Sequence, residues 1–227
     1  MNYTYLLIDA DDTLFDFPKA SGQAFEKMCR AHDIPCTPEI YRVYHEINLE
    51  LWSAFDRGEV TKEFVTLERY VRLFRALDLD RDPAACNRDY LAGLGEGVYP
   101  LPHAEEVCRE LRGRGHRMFI ITNAVASVQR SRLQGSVFAA LFEAAFISEE
   151  AGAAKPSAAY FDYVRTQLPG LTAENALVIG DSLATDLRGA NNAGLPCCWF
   201  NPAGKPNPDG LRIDYEIADL RELLGIV

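Results

Sequence analysis

Between Leu6 and Asp16 the chain reads LLIDADDTLFD, an apolar run that ends in Asp9, Asp11 and Asp12, with Asp16 close behind. Like charges this close repel, so the run costs stability unless something cationic offsets it. Further polar groups follow other apolar runs. Thr122 and Asn123 come after MFII, and Asp181 and Ser182 come after LVIG, with Asp186 a turn later. Lys155 lies in GAAKPSAAY, where Pro156 biases it toward an extended backbone. Gathered together, these residues make an oxygen-rich cluster suited to a hard divalent cation, and Mg²⁺ prefers few carboxylates plus waters and substrate phosphate. A carboxylate there can attack phosphorus to form an acyl phosphate. A second carboxyl can protonate the leaving group and then activate water. Each piece alone is ordinary: D-x-D-x-T is usually a turn or helix cap, and Ser182 or Asp181 could simply cap a helix. Their joint occurrence, in order and each at a strand end, is what points to chemistry.

The elements that must position these groups are legible in the hydrophobic pattern. Tyr3 to Ile8 reads as a buried strand, and so do Arg117 to Thr122, EAAFIS, NALVIGD and LPCCWF. Helical stretches separate the later strands, at His103 to Leu111, Tyr160 to Gln167 and Thr185 to Ala193. Strands alternating with helices imply a parallel sheet covered on both faces, and such sheets bind ligands beyond the carboxyl ends of their strands. From Ala20 to about Gly97 the pattern is helical instead. Ile40, Val43, Tyr44, Ile47, Leu51 and Ala54 share one helix face, and after a start signal at Thr61 so do Phe64, Leu67, Val71, Phe74 and Leu77. The expected architecture is an α/β, Rossmann-like core of residues 1–16 and 98–227, interrupted by an all-helical insert over residues 17–97.

The 227 residues are 48% hydrophobic and 25% charged, ordinary globular values, and carry a net charge of −10. That charge repels polyanions, so nucleic-acid polymers and acidic membranes are not expected partners, although a bound metal can reverse the field locally for one small phosphorylated molecule. The six cysteines form no C-x-x-C pair, and Cys197 and Cys198 are expected to pack in the core. Scattered thiols and the lack of a signal-peptide pattern or a membrane-length apolar run lead to the expectation of a cytoplasmic protein.

Taken as a set, Asp9 to Thr13, ITN at Thr122, AAKP at Lys155 and GDSLATD from Asp181 to Asp186 resemble the four motifs of the haloacid dehalogenase superfamily, and the resemblance spans nearly the whole chain. It implies that Asp9 is the nucleophile and a Mg²⁺ ligand. It implies that Asp11 is the general acid/base and offers the metal its main-chain carbonyl. Thr122, Asn123 and Lys155 would hold the phosphoryl oxygens, Asp181 would complete the metal site, and Asp186 would support Asp181 and Lys155, with Thr13 and Ser182 assisting. INLELWSAFDRGEVTKEFVTLERYVRLF and TNAVASVQRSRLQGS are similar to the cap and second-motif helix of noncanonical pyrimidine 5'-nucleotidases. The chain departs from the pattern at Ala124, where glycine is usual, and at Ser157, where aspartate often follows Lys-Pro.

The resemblance therefore implies a Mg²⁺-dependent phosphomonoester hydrolase acting on a nucleoside monophosphate, with the oligomeric state open. The alternative is a phosphatase or phosphomutase for a small sugar phosphate or other phosphometabolite. A dehalogenase is disfavoured because Asp11 is present, and a non-catalytic binding module has no need of both carboxyls of the first motif. His32, His45, His103 and His116 lie outside the motifs and are expected at the surface or at interfaces. Trp52 and Phe55 are expected to pack between helices. Asp12 is expected to point away from Asp9 and serve the turn, and NPAGKPNPDG to connect to the last strand.

Overall fold

The computed structural model describes residues 3–227 and divides into two compact units: the chain up to Phe17 with Val98–Val227, and Pro18–Gly97. The first strand, β1 (Tyr5–Asp9), is buried along its length. It starts two residues later than the apolar run suggests and ends one residue later, so that Asp9 is its last member.

The helical unit comprises α1 (Phe17–Ala31), α2 (Pro38–Asp56), α3 (Lys62–Leu77) and α4 (Pro83–Glu96). Local chemistry sets their starts. Thr37, Thr61 and Asp82 each accept an N-terminal N–H of the helix that follows, and prolines open α2 and α4. The buried face of α3 is not the expected one. Phe64 and Leu67 are both 43% exposed, whereas Val65, Thr66, Arg69, Tyr70, Leu73 and Phe74 are buried. On α2 the buried stripe is Tyr44, Asn48 and Leu51. Trp52 and Phe55 are half-buried rather than enclosed, and meet edge to face at 5.4 Å.

After α5 (Ala104–Gly113) the core resumes with β2 (Arg117–Thr122), α6 (Ala126–Gln134), β3 (Ala144–Ile147), the short α7 (Ser148–Ala151), α8 (Ala158–Gln167), β4 (Ala176–Gly180), α9 (Arg188–Asn192), β5 (Cys197–Phe200) and β6 (Tyr215–Ile217). A π-helical turn, Leu183–Leu187, leads into α9 where a continuous helix from Thr185 was expected. All pairings are parallel, in the order β3-β2-β1-β4-β5-β6. Such a sheet buries both faces, which is why its strands read as unbroken apolar runs. Leu6, Ile8, Met118, Ile120, Leu177 and Ile179 pack on one side with Val107 and Leu111 of α5. Tyr5, Leu7, Phe119, Ile121 and Val178 pack on the other with Tyr160 and Phe161 of α8. Each such side chain contributes about 1.5–3 kcal/mol when fully buried. Cys197 and Cys198 fall on opposite faces of β5, both buried as free thiols. His116 is also buried, contrary to expectation, because its Nδ1 lies 2.6 Å from the Tyr3 carbonyl oxygen ahead of β1.

Candidate active site

β1 lies between β2 and β4, so the residues that end these three strands are neighbours. Asp9 ends β1 and pairs in register with Ile121, one residue before Thr122. Lys155 is buried against this corner. Its ammonium donates to Asp9 Oδ1 at 2.5 Å, to Asp186 Oδ1 at 2.6 Å and to the Ile121 carbonyl at 3.0 Å, which uses all three of its hydrogens. Asn123 fixes Lys155 from the main chain: its Nδ2 donates to the Lys155 carbonyl at 2.9 Å, and its Oδ1 accepts the Lys155 N–H at 3.0 Å. The second Nδ2 hydrogen of Asn123 is left to donate elsewhere. Thr122 is buried, and its Oγ1 accepts the Ala124 N–H at 3.1 Å, which leaves the hydroxyl hydrogen to donate.

Asp181 follows β4, and Asp186 returns through the π-helical turn. The Ser182 N–H donates to Asp186 Oδ2 at 3.2 Å, and Ser182 Oγ caps the turn by accepting the Thr185 N–H. Gly180 makes the approach of Asp186 possible, because a Cβ there would lie 2.3 Å from Asp186 Oδ2. Asp9, Asp181 and Asp186 each place a carboxylate oxygen within 4.8 Å of the others. One ammonium cannot balance three carboxylates. Burial, and then Asp186, hold the Asp9 carboxyl well above its ordinary range despite Lys155. Burial and Asp186 likewise push Asp181 up to about 7. Burial works against the Lys155 charge, but Asp186 and Asp9 outweigh it and keep the ammonium protonated. An all-oxygen donor set with surplus negative charge fits a hard divalent cation.

The remaining predicted residues fall as follows. The Asp11 carboxylate, half-exposed, pairs with Arg132 of α6. Asp12 adopts φ 60° and accepts the Phe17 N–H at 3.3 Å, serving the turn as expected; burial and Asp11 push its carboxyl up to about 6. Thr13 is fully buried, and among the described residues its hydroxyl meets no hydrogen-bonding partner. Both departures from the resemblance are accommodated locally. Ala124 does not enter the left-handed region that would demand glycine, and Ser157 caps α8 by accepting the Ala159 N–H at 3.2 Å.

Sequence reasoning missed Arg132, Tyr160 and Gly180. The Tyr160 hydroxyl donates to the Phe146 carbonyl at 2.6 Å and accepts the Thr122 N–H at 3.1 Å, fastening the end of β2. Arg132 is fully buried in α6, whose polar sequence SVQRSRLQ has the composition of a surface helix. Only Gly180, placed directly before the Asp181 motif, carried a local signal.

Parallel strands ending in a carboxylate, closed around a buried lysine with a second acidic turn alongside, define a hydrolase fold of known family. The chain belongs to the haloacid dehalogenase-like hydrolases, whose family model matches residues 3–194. It is similar to YfnB of Bacillus subtilis, at 36% identity over 99% of this chain and 95% of that one. It is also similar to the pyrimidine 5'-nucleotidases YjjG of Escherichia coli, at 30% identity over 98% of this chain and 97% of that one, and PynA of Streptococcus pneumoniae, at 29% over 99% and 94%. The crystal structure of YfnB bound to magnesium superposes with a TM-score of 0.94, covering 100% of this chain and 99% of that one. A dehalogenase structure at 17% identity and a TM-score of 0.76 shares the fold alone. Among the described residues, no helix is long and apolar enough to cross a membrane.

Proposed function

We propose that the protein is a Mg²⁺-dependent phosphomonoesterase that works through an aspartyl phosphate on Asp9, and that its substrate is a pyrimidine nucleoside 5'-monophosphate. The observation that carries the chemistry is the Lys155 ammonium held between Asp9 and Asp186 at 2.5 and 2.6 Å, beside Asp181. Asp9, Asp181 and Asp186 are the carboxylates that would hold the cation, with Asp11 expected to add its main-chain carbonyl. When bound, the cation supplies positive charge that draws the phosphate in and keeps Asp9 ionised.

The chain's own groups supply the rest. Asp9 is a nucleophile whose carboxylate oxygen is oriented by Lys155. Lys155 also presents positive charge to the phosphoryl oxygens, one of which can replace Asp186 or the Ile121 carbonyl as acceptor. The Thr122 hydroxyl donates to another phosphoryl oxygen. Asp11, two residues along and half-exposed, gives a proton to the departing alkoxide. It then takes one from the water that hydrolyses the aspartyl phosphate. The two nucleotidase relatives of nearly equal length support the substrate class, and the magnesium-bound YfnB structure supports the metal.

A screen of phosphorylated metabolites with phosphate detection, run with Mg²⁺ and again with excess chelator, tests this reading. Pyrimidine nucleotides should rank first, and chelation should abolish release. Rates untouched by exhaustive chelation would refute the metal-dependent mechanism. A sugar phosphate turned over faster than any nucleotide would replace the substrate assignment and leave the mechanism standing.

A further inference from the structure

The loop that carries Asp11 is closed tightly by its own backbone. Leu14 and Phe15 both donate to the Ala10 carbonyl at 2.9 Å, and Asp12 donates to the Phe15 carbonyl at 2.8 Å. The backbone at Asp11 is therefore settled, but its side chain is 26% exposed and free by its own chemistry to sample several rotamers. The group that opposes this freedom is Arg132. Its guanidinium pairs with Asp11 Oδ1 while its face rests on the Phe15 ring, 4.5 Å from the centroid. Phe15 is in turn braced edge-on by Phe138 at 5.1 Å. The whole arrangement lies within the α/β core and reaches Asp11 from α6.

Burying a guanidinium costs several kcal/mol in lost hydration, and an apolar side chain of similar volume often packs there as well or better. Stability alone is a poor account of a fully buried arginine paired with a half-exposed carboxylate two residues beyond Asp9 in the chain. We propose that Arg132 is a positioning residue. Clamped on Phe15, it holds the Asp11 carboxyl in the one rotamer that faces the leaving oxygen; because the pair favours the ionised carboxylate, the proton that Asp11 delivers from there is one it takes up from solvent. This rests on the assignment of Asp11 as proton donor made above.

The test uses single-turnover measurements on the full chain with Mg²⁺. One substrate is uridine 5'-monophosphate, or the best alkyl phosphate of the metabolite screen should the nucleotide fail; the other is 4-nitrophenyl phosphate. An alkoxide needs the proton and a nitrophenolate hardly does. Arg132→Lys should slow release from the alkyl ester about tenfold more than from the aryl ester, because misplacing a catalytic group by a fraction of its bond geometry costs on this scale. In an Asp11→Asn background, the same change should alter neither ester by more than about twofold, since coupling vanishes when the partner is gone. Equal slowing of both esters, or an unchanged effect in the Asp11→Asn background, overturns the proposal. Should Arg132→Lys fail to fold by circular dichroism, Phe15→Leu withdraws the ring beneath the guanidinium and should give the same split at smaller size; an unsplit effect there overturns it equally. The two failures are distinguishable. An Asp11→Asn variant that treats both esters alike removes Asp11 as donor and takes both assignments with it. A leaving-group-sensitive Asp11→Asn beside an insensitive Arg132→Lys strikes only the role of Arg132.

Discussion

Both units of the protein bury cations, and two of these, Lys155 and Arg69, are handled in opposite ways. In the core, Lys155 has carboxylates in excess: Asp9 and Asp186 on its ammonium and Asp181 beside them. In the helical unit, Arg69 is just as buried, and among the described residues no carboxylate pairs with it. Its guanidinium donates to Asn48 at 3.1 Å, Asn87 at 2.8 Å and the Thr66 carbonyl at 3.2 Å. It also lies over Tyr90 and Tyr70, with its carbon 4.5 and 5.3 Å from the ring centroids. Burial keeps Tyr44 and Tyr70 well above the ordinary phenol range, with Arg69 opposing it only in part, so the rings stay neutral. Neutral oxygens and ring faces solvate the guanidinium in place of water, so its charge is hydrogen-bonded although no carboxylate balances it. The Arg69 guanidinium has acceptors on α2, α3 and α4 and ties these helices together. The Lys155 cluster carries unbalanced negative charge, which gives it something to bind.

Substitutions at the two centres should therefore fail differently. The largest effect is expected from Asp9→Asn, which keeps the side-chain shape and removes the proposed nucleophile. Phosphate release should fall by about a thousandfold or more, while the thermal midpoint of the metal-free protein holds or rises because a buried carboxyl that resists ionising is replaced by a neutral amide of the same shape. A folded Asp9→Asn enzyme with near wild-type turnover would end the contrast. Next in size, Arg69→Met should lower stability by about 3 kcal/mol, since Asn48, Asn87 and the Thr66 carbonyl lose a charged donor inside the unit. Urea unfolding would measure it, and a loss under about 0.5 kcal/mol would show that packing alone suffices there.

The smallest expected effect is a pH dependence. Asp181 titrates near 7 in the fold against an ordinary 3.8, so between these values the folded state holds a proton that the unfolded chain has released. Stability of the metal-free protein should then fall as pH rises from about 4 to about 7, and level off above. A cation must displace that proton, so added Mg²⁺ should raise the melting temperature more at pH 8 than at pH 6. Equal stabilisation at both pH values would place the cation elsewhere than on these carboxylates.

The same contrast separates what could be read in advance from what could not. Strands and catalytic motifs were legible because their chemistry is declared by residue type: apolar runs must be buried, and clustered carboxylates at their ends need a reason. Asp186 was legible as a support, but its approach to the same point as Asp9 and Asp181 depends on the π-helical turn and on Gly180, which no spacing rule conveys. Misjudging the face of α3 has one cause. Apolar periodicity favours Phe64, Leu67 and Val71, whereas the helix turns inward the face that carries Thr66 and Arg69. A buried arginine satisfied by tyrosine rings and amides looks, in sequence, like a solvated one. Arg132 was hidden by the same disguise, and the tie between the Asn123 side chain and the Lys155 main chain is long-range and has no sequence signal.

The order of pairing also has a consequence for synthesis. Tyr5 pairs with Arg117 on one side and with Ala176 on the other. At ribosomal rates of roughly 5–20 residues per second, β1 therefore emerges on the order of ten seconds before either neighbour exists. Throughout that interval a largely apolar strand must be kept from pairing with something else. A chain released before Arg117 has neither partner strand for β1, and one released before Asp186 cannot bring the three carboxylates together.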